Sequence, residues 1–246
     1  MSGPVLAIRY LTILPVPGGG DARHGLGHAA AWFPVVGLAL GLLLVGVDWA
    51  SARVFPPLLS AVLTVAMWKT LSGGLHLDGL ADCLDGLAGR DREHRLAIMR
   101  DSRIGTFGAI GLVLVVVLAV AAVAAVPPAE RWRVLLASPA IGRAMPVVLA
   151  RLFGPARREG QGAAFIGGVG ATGALLALLV AVAAALVALG PAGVGALVLA
   201  LAVAVGTGAL LARRLGGLTG DVLGAAVELA ELVVLLAAVG WQAAPA

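Results

Sequence analysis

An all-α, polytopic membrane helical bundle is the fold class this sequence predicts, and three observations carry the prediction. Of its 246 residues, 61% are hydrophobic and only 12% charged, with a mean hydropathy of +1.04, well outside the range of soluble globular domains. Uncharged runs reach the roughly 20 residues that a helix needs to cross a hydrocarbon core about 30 Å thick: neither 104–126 nor 160–212 contains Asp, Glu, Lys or Arg. Third, the basic residues lie in segments between these runs rather than on one basic face. Membrane topology therefore explains the net charge of +4 better than nucleic-acid binding does.

About seven spans follow in chain order, near 27–50, 54–72, 104–126, 134–153, 168–189, 191–212 and 221–240. The first ends among Asp48, Trp49 and Arg53, which with Trp32 and Trp132 read as boundary residues and interfacial anchors. The second is the weakest, because only 54–68 is free of charge and Lys69 must snorkel to the interface. The third is uncharged throughout. Gly190-Pro191 breaks the long run after residue 160 into the fifth and sixth spans. Their Ala, Val, Leu and Gly content reflects close helix packing rather than a functional motif.

Counting Lys and Arg in alternate segments sets the orientation. Arg9, Arg23, Arg90, Arg92, Arg95, Arg100, Arg103, Arg157, Arg158, Arg213 and Arg214 fall on one side, against Arg53, Arg131 and Arg133 on the other. Eleven against three puts the amino terminus in the cytoplasm and the carboxyl terminus outside. The amino-terminal stretch lacks the pattern of a secretory signal peptide, and Cys83, the sole cysteine, has no intramolecular disulfide partner.

Chemistry concentrates in "GGLHLDGLADCLDGLAGR" at 73–90. Asp78, Asp82 and Asp85 are spaced i, i+4, i+7, which places them within about a 60° sector of one helical face. Three like charges so close call for a neutralising partner. A hard, oxygen-ligated cation such as Mg²⁺ suits carboxylates that leave room for substrate phosphate. Gly73, Gly74, Gly79, Gly86 and Gly89 cost helix stability, and the expected return is close approach by metal and phosphate. The following "DREHRLAIMRDSRIGTFG" supplies Arg92, Arg95, Arg100 and Arg103 as anion-binding forks, with Asp101 as a fourth acid. Ser102, Gly105, Thr106 and Gly108 lie where the third span begins, so their backbone N–H groups are candidates for a phosphate contact. A solvated loop obeying the positive-inside rule accounts for the arginines alone, but not for three acids on one face at the membrane edge.

A second polar cluster opens the last span: "GGLTGDVLGAAVELAEL". Asp221 and Glu228, seven apart, are nearly eclipsed on a helix, and Glu231 lies about 80° from Asp221. Two readings stand: these acids join the first cluster as ligands or as a general base, or they pair with Arg143, Arg213 or Arg214 as structural charges. Lys69 and His76 are further candidates to line the site. His24 and His28, four apart, have no third ligand nearby and read as an interfacial turn.

Together, "GGLHLDGLADCLDGLAG", "RLAIMRDSRIGTFG" and "LGGLTGDVLGAAVELAEL", with "YLTILPVP" near the start and "IGRAMPVVLAR" in the middle, resemble the cobalamin synthase, or adenosylcobinamide-GDP ribazoletransferase, family over nearly the whole chain. The resemblance implies a single transmembrane catalytic domain over 1–246, with 73–108 as a cytoplasmic active-site segment of a multi-pass inner-membrane enzyme. It implies a reaction joining adenosylcobinamide-GDP to α-ribazole or its 5′-phosphate with release of GMP, and Mg²⁺ as cofactor. The partners implied are those substrates and the lipid bilayer, with no nucleic acid; a homo-oligomer or association with other corrinoid-pathway enzymes is a further candidate. The family's motifs fall on Asp78, Asp82 and Asp85, then on Asp101, Ser102, Arg103, Gly105 and Thr106, then on Thr219, Gly220, Asp221 and Glu228. Asp78, Asp82, Asp85 and Asp101 are accordingly the expected metal ligands, and Asp82, Asp85, Asp101, Asp221 and Glu228 the catalytic acids. Lys69, Arg100, Ser102, Arg103, Gly105 and Thr106 are expected on the substrate phosphates. Cys83 carries no catalytic expectation.

Two rivals remain at this stage. The CDP-alcohol phosphotransferases share D-x2-D-G-x2-A-R, which residues 82–90 match except for Gly89, but Met99 stands where their next Gly belongs and no spaced Asp pair follows. A cation-coupled transporter would use Asp221, Glu228 and Glu231 as a membrane-embedded ion path, yet has no obvious need for the acidic and Arg-rich stretch 78–103.

Overall fold

A computed structural model describes residues 2–17 and 25–243, the side chains to residue 241. The elements, in order, are α1 (Gly3–Leu11), a 3-10 turn (Ala30–Trp32), α2 (Phe33–Ser51), α3 (Pro57–Leu71), α4 (Leu75–Gly86), α5 (Arg92–Ile98), α6 (Thr106–Ala125), α7 (Arg131–Leu152), α8 (Gln161–Gly168), α9 (Ala171–Leu189), α10 (Pro191–Leu215) and α11 (Gly220–Ala243). The 3-10 turn running on into α2, together with α6, α7, α9, α10 and α11, gives six helices among the described residues that are each long and apolar enough to cross a membrane. They fall on six of the seven expected spans.

The second expected span falls on α3, which passes the same test only together with α4, as a bent pair that would make a seventh span. α3 has 15 residues, about 22 Å at 1.5 Å per residue, and the chain then bends by 87° into α4. Gly73 and Gly74 make the bend with φ of 62° and 67°, a left-handed backbone that side chains resist. α4 leaves the direction of the spans and lies across the first turns of α6 and α11, where Gly79 abuts the backbone of Asp221 and Asp85 meets Gly105 and Gly108.

At the centre stands α7, 83% buried over its apolar window, while the windows of α6 and α9 are each 28% buried. Val113, Leu114 and Val117 of α6 and Leu175 and Leu179 of α9 face outward, an apolar surface suited to lipid. Small residues let the inner helices touch: a Cβ on Gly41 of α2 would stand 2.6 Å from the Leu135 carbonyl oxygen of α7, the close approach that membrane helices use in place of a hydrophobic driving force.

Charge inside the bundle is paired. At the end remote from α4, Arg131 contacts Asp48 at 3.2 Å and also donates to the carbonyls of Val126, Ala124 and Pro57, while the Ser60 hydroxyl donates to Asp48 Oδ1 at 3.1 Å. Asp48, expected as a boundary residue, lies in the last turn of α2 and is buried there, with Arg131 and Ser60 satisfying its carboxylate. Of the pair His24 and His28, the first lies outside the described residues.

Candidate active site

α4 presents the acids as their spacing predicts, within one regular helix. Two hollows flank it. A cavity of about 240 Å³ is bordered by Asp78 and Gly79 of α4, Tyr10 of α1, Phe165 of α8, Asp221 of α11 and Arg157 of the loop before α8. An open cleft of about 670 Å³ is bordered by Asp78 and Asp82 with Arg100, Asp101, Ser102 and Arg103. Asp78 borders both.

Local structure explains each position. The chain around Arg157 is held to the start of α11 by a short bridge: the Ala156 N–H donates to the Leu218 carbonyl at 2.8 Å and the Leu218 N–H to the Gly154 carbonyl at 2.9 Å. Thr219 accepts from the Val222 N–H through its hydroxyl, capping α11, and donates to Asp221 Oδ2 at 3.0 Å. Asp82 is only partly exposed. Burial first, and then repulsion by Asp221, Asp78 and Asp85, push its carboxyl up to about 7. Arg157 lies close to this group: burial and Arg100 lower its pKa, while Asp221 and Asp82 raise it. Asp101 is pulled down to about 2 by hydrogen bonds from Arg103, whose guanidinium holds both carboxylate oxygens. The Arg103 side chain is 86% exposed. Such surface pairs are weak, so exchange of Asp101 for a phosphate is inexpensive.

Several expectations change. Asp85 accepts the Gly105 N–H at 2.7 Å and the Gly108 N–H at 2.8 Å. Two of the N–H groups expected to face phosphate are thus engaged by a carboxylate of the chain itself, drawn there by the positive end of α6. Thr106 opens α6 and is exposed. The space beside Gly79, Gly86 and Gly89 is filled by Asp221, Met99 and Arg95, so these glycines serve helix packing rather than ligand approach. Arg92 spans to the carbonyls of Leu215, at 2.7 Å, and Ala156, at 2.9 Å, tying α10 to the Arg157 loop instead of awaiting an anion.

Lys69 and Glu228 lie apart from both hollows. Lys69 Nζ sits 2.6 Å from Glu228 and 3.0 Å from Glu231, and Arg143 pairs with Glu231 and donates to the Ser72 hydroxyl at 3.0 Å. Of the two readings of these glutamates, pairing with Arg143 describes Glu231, and Lys69 is the partner of Glu228.

A family model described as Cobalamin-5-phosphate synthase matches residues 3–239. The chain belongs to that family. Its curated relatives include proteins named adenosylcobinamide-GDP ribazoletransferase from Geotalea daltonii, 39% identical over 94% of each chain, and from Chlorobium phaeobacteroides, 40% identical over 97% of this chain and 98% of the relative. One from Klebsiella pneumoniae is 39% identical over 94% and 96%. No solved structure matches the chain. Family membership makes it a transferase and removes the two rival classes.

Within this family member, Arg157 and Tyr10 are the site residues that reading the sequence missed. Arg157 looked like a topology charge, and only the bridge to Leu218 brings it to Asp221. Tyr10 had no motif beyond the amino-terminal resemblance. Among the described residues no three of Asp, Glu, His or Cys converge into a closed metal cage. The donors do fit Mg²⁺ in kind, since that ion is commonly held by one or two carboxylates, with water and substrate phosphate completing its shell. Asp78 and Asp82 answer that description better than Asp85, which is engaged by α6, or Asp101, which is engaged by Arg103.

Proposed function

We propose that the chain joins adenosylcobinamide-GDP to α-ribazole or its 5′-phosphate with release of GMP, at the cytoplasmic face of the inner membrane. The observation that carries this reading is the meeting of two hollows at Asp78, one bordered by Arg100 and Arg103, the other by Arg157 and three aromatic rings, as a reaction joining two substrates requires. Asp78 and Asp82 would hold Mg²⁺, which when bound neutralises the diphosphate and eases departure of GMP. Arg100 and Arg103 bind the anionic oxygens of the donor, Arg103 after releasing Asp101, and offset charge that develops as the phosphorus is attacked. Asp221, fixed by the Thr219 hydroxyl, accepts the proton of the ribazole hydroxyl. Asp85 positions α6 against α4, and the Lys69–Glu228–Glu231–Arg143 network holds α3 and α7 to α11 beneath the site.

The test is GMP release by the detergent-solubilised full chain given adenosylcobinamide-GDP, α-ribazole phosphate and Mg²⁺, each omitted in turn. Release that needs all three is expected, with an Asp221→Asn loss of about 10²-fold or more in kcat. Absence of GMP, with CMP formed from CDP-diacylglycerol and an alcohol, would overturn the reading.

A further inference from the structure

We infer that the two hollows divide the substrates: the smaller, aromatic-bordered cavity seats the acceptor nucleoside, ring inward, and the larger cleft seats the diphosphate of the corrinoid donor. The acceptor hydroxyl then meets phosphorus at Asp78. This rests on the ribazoletransferase reading and assigns each substrate its own wall.

Size separates them first. A corrinoid nucleotide cannot enter about 240 Å³, whereas a single nucleoside is near the lower end of what small-ligand cavities hold. The wall of the cavity is also right for a flat base. Phe33 and Phe165 stack with centroids 5.1 Å apart and planes 14° from parallel, and Tyr10 continues the stack to Phe33 at 6.0 Å; all three border the cavity. An aromatic border of this kind suits a planar guest. His76 supplies a polar group there: it borders the cavity, is 4% exposed, and its Nδ1 has no hydrogen-bond partner among the described residues. A buried polar atom of this kind calls for a partner, which the unsubstituted ring nitrogen of the benzimidazole of ribazole would supply.

The other side of Asp78 carries Arg100 and Arg103 where the cavity carries aromatic rings. Asp82, Arg100 and Arg103 border a cleft open to the outside, where two phosphates find cationic forks and the corrinoid can remain beyond the protein. In the step itself the ribazole hydroxyl oxygen bonds to the phosphorus bearing cobinamide, and the bond from that phosphorus to the oxygen bridging to GMP breaks. GMP leaves with the bridging oxygen, and the hydroxyl proton passes to Asp221.

The partition predicts a split in KM. Tyr10→Leu, which removes a ring but keeps the site apolar, and Gln161→Trp, an exposed change at the rim of the cavity, should each raise KM for α-ribazole about tenfold and leave KM for adenosylcobinamide-GDP within about twofold. Arg100→Ala should do the reverse. If Tyr10→Leu is too slow to assay, equilibrium dialysis of α-ribazole against the full chain reads the same loss directly. A rise confined to adenosylcobinamide-GDP in the Tyr10 and Gln161 variants would place guanosine in the cavity and overturn the inference, as would equal or absent effects on both substrates. Those outcomes leave the proposed reaction standing. Failure of the unmodified chain to release GMP removes the reaction and the partition together.

Discussion

Asp82 and Asp85 lie three residues apart on one helix, yet their surroundings give them different work. Asp82 borders the open cleft among like charges, whereas Asp85 is bound by two N–H groups at the start of α6. Asp82→Asn should reduce GMP release at least about 100-fold, while thermal unfolding of the metal-free protein stays the same or rises, because the change removes a charge that Asp78 and Asp221 repel. Asp85→Asn keeps one good acceptor of two and should cost about 1–2 kcal/mol, seen as a lower Tm. Equal destabilisation by both would show that the two acids are not distinct. Lys69 offers a second contrast. Its removal in Lys69→Met leaves Glu228 without its cation inside the bundle, a loss of about 3–5 kcal/mol. Adding Glu228→Gln should restore much of it, and no recovery in the double variant would mean that the ammonium acts through something other than this pair. The acidic spacing was legible in the sequence because a helix repeats every 3.6 residues. The partner of each acid was not, since Lys69 and Glu228 are 159 residues apart in the chain.

At the scale of helices, glycine marks contact by what it excludes. A Cβ at Gly41 would press on the Leu135 carbonyl of α7, whereas one at Gly46, on the same helix, meets nothing within 4 Å. Gly41→Ala should therefore force α2 off α7 and lower Tm by several degrees, a loss of about 1–3 kcal/mol, while Gly46→Ala should be neutral or slightly stabilising. Thermal unfolding of the two variants side by side reads the difference, and matching values would remove the packing account. Six spans were readable from hydropathy because lipid imposes length and apolarity on each helix separately. The bend after α3 was not. Gly73-Gly74 was visible as a pair, but its φ values, and so the 87° turn that lays the acids across α6 and α11, depend on what α4 packs against. The same holds for α1, whose Tyr10 reaches the cavity although nine residues are too few to span.

For the molecule as a whole, the two ends of the bundle differ in charge and in chemistry. α4, α5, the Arg157 loop and the last turn of α10 with Arg213 and Arg214 gather at the end that carries both hollows, whereas Arg53, Arg131 and Arg133 mark the other. The positive-inside rule predicts the cytoplasm for the richer end, the side from which the proposed nucleotide-bearing donor would arrive. Cys83 is 4% exposed and a poor reporter, so orientation is best read in a Cys83→Ala background with single cysteines introduced as Arg158→Cys, at the site end, or Ala52→Cys, between α2 and α3. Both positions are exposed. In intact cells a membrane-impermeant maleimide should label the Ala52→Cys protein at once and the Arg158→Cys protein only after permeabilisation. The reverse pattern would turn the molecule over and put the site outside, where the supply of both substrates would have to be sought anew. Labelling of both proteins without permeabilisation would mean that the loops at the two ends do not lie on opposite sides of a membrane at all.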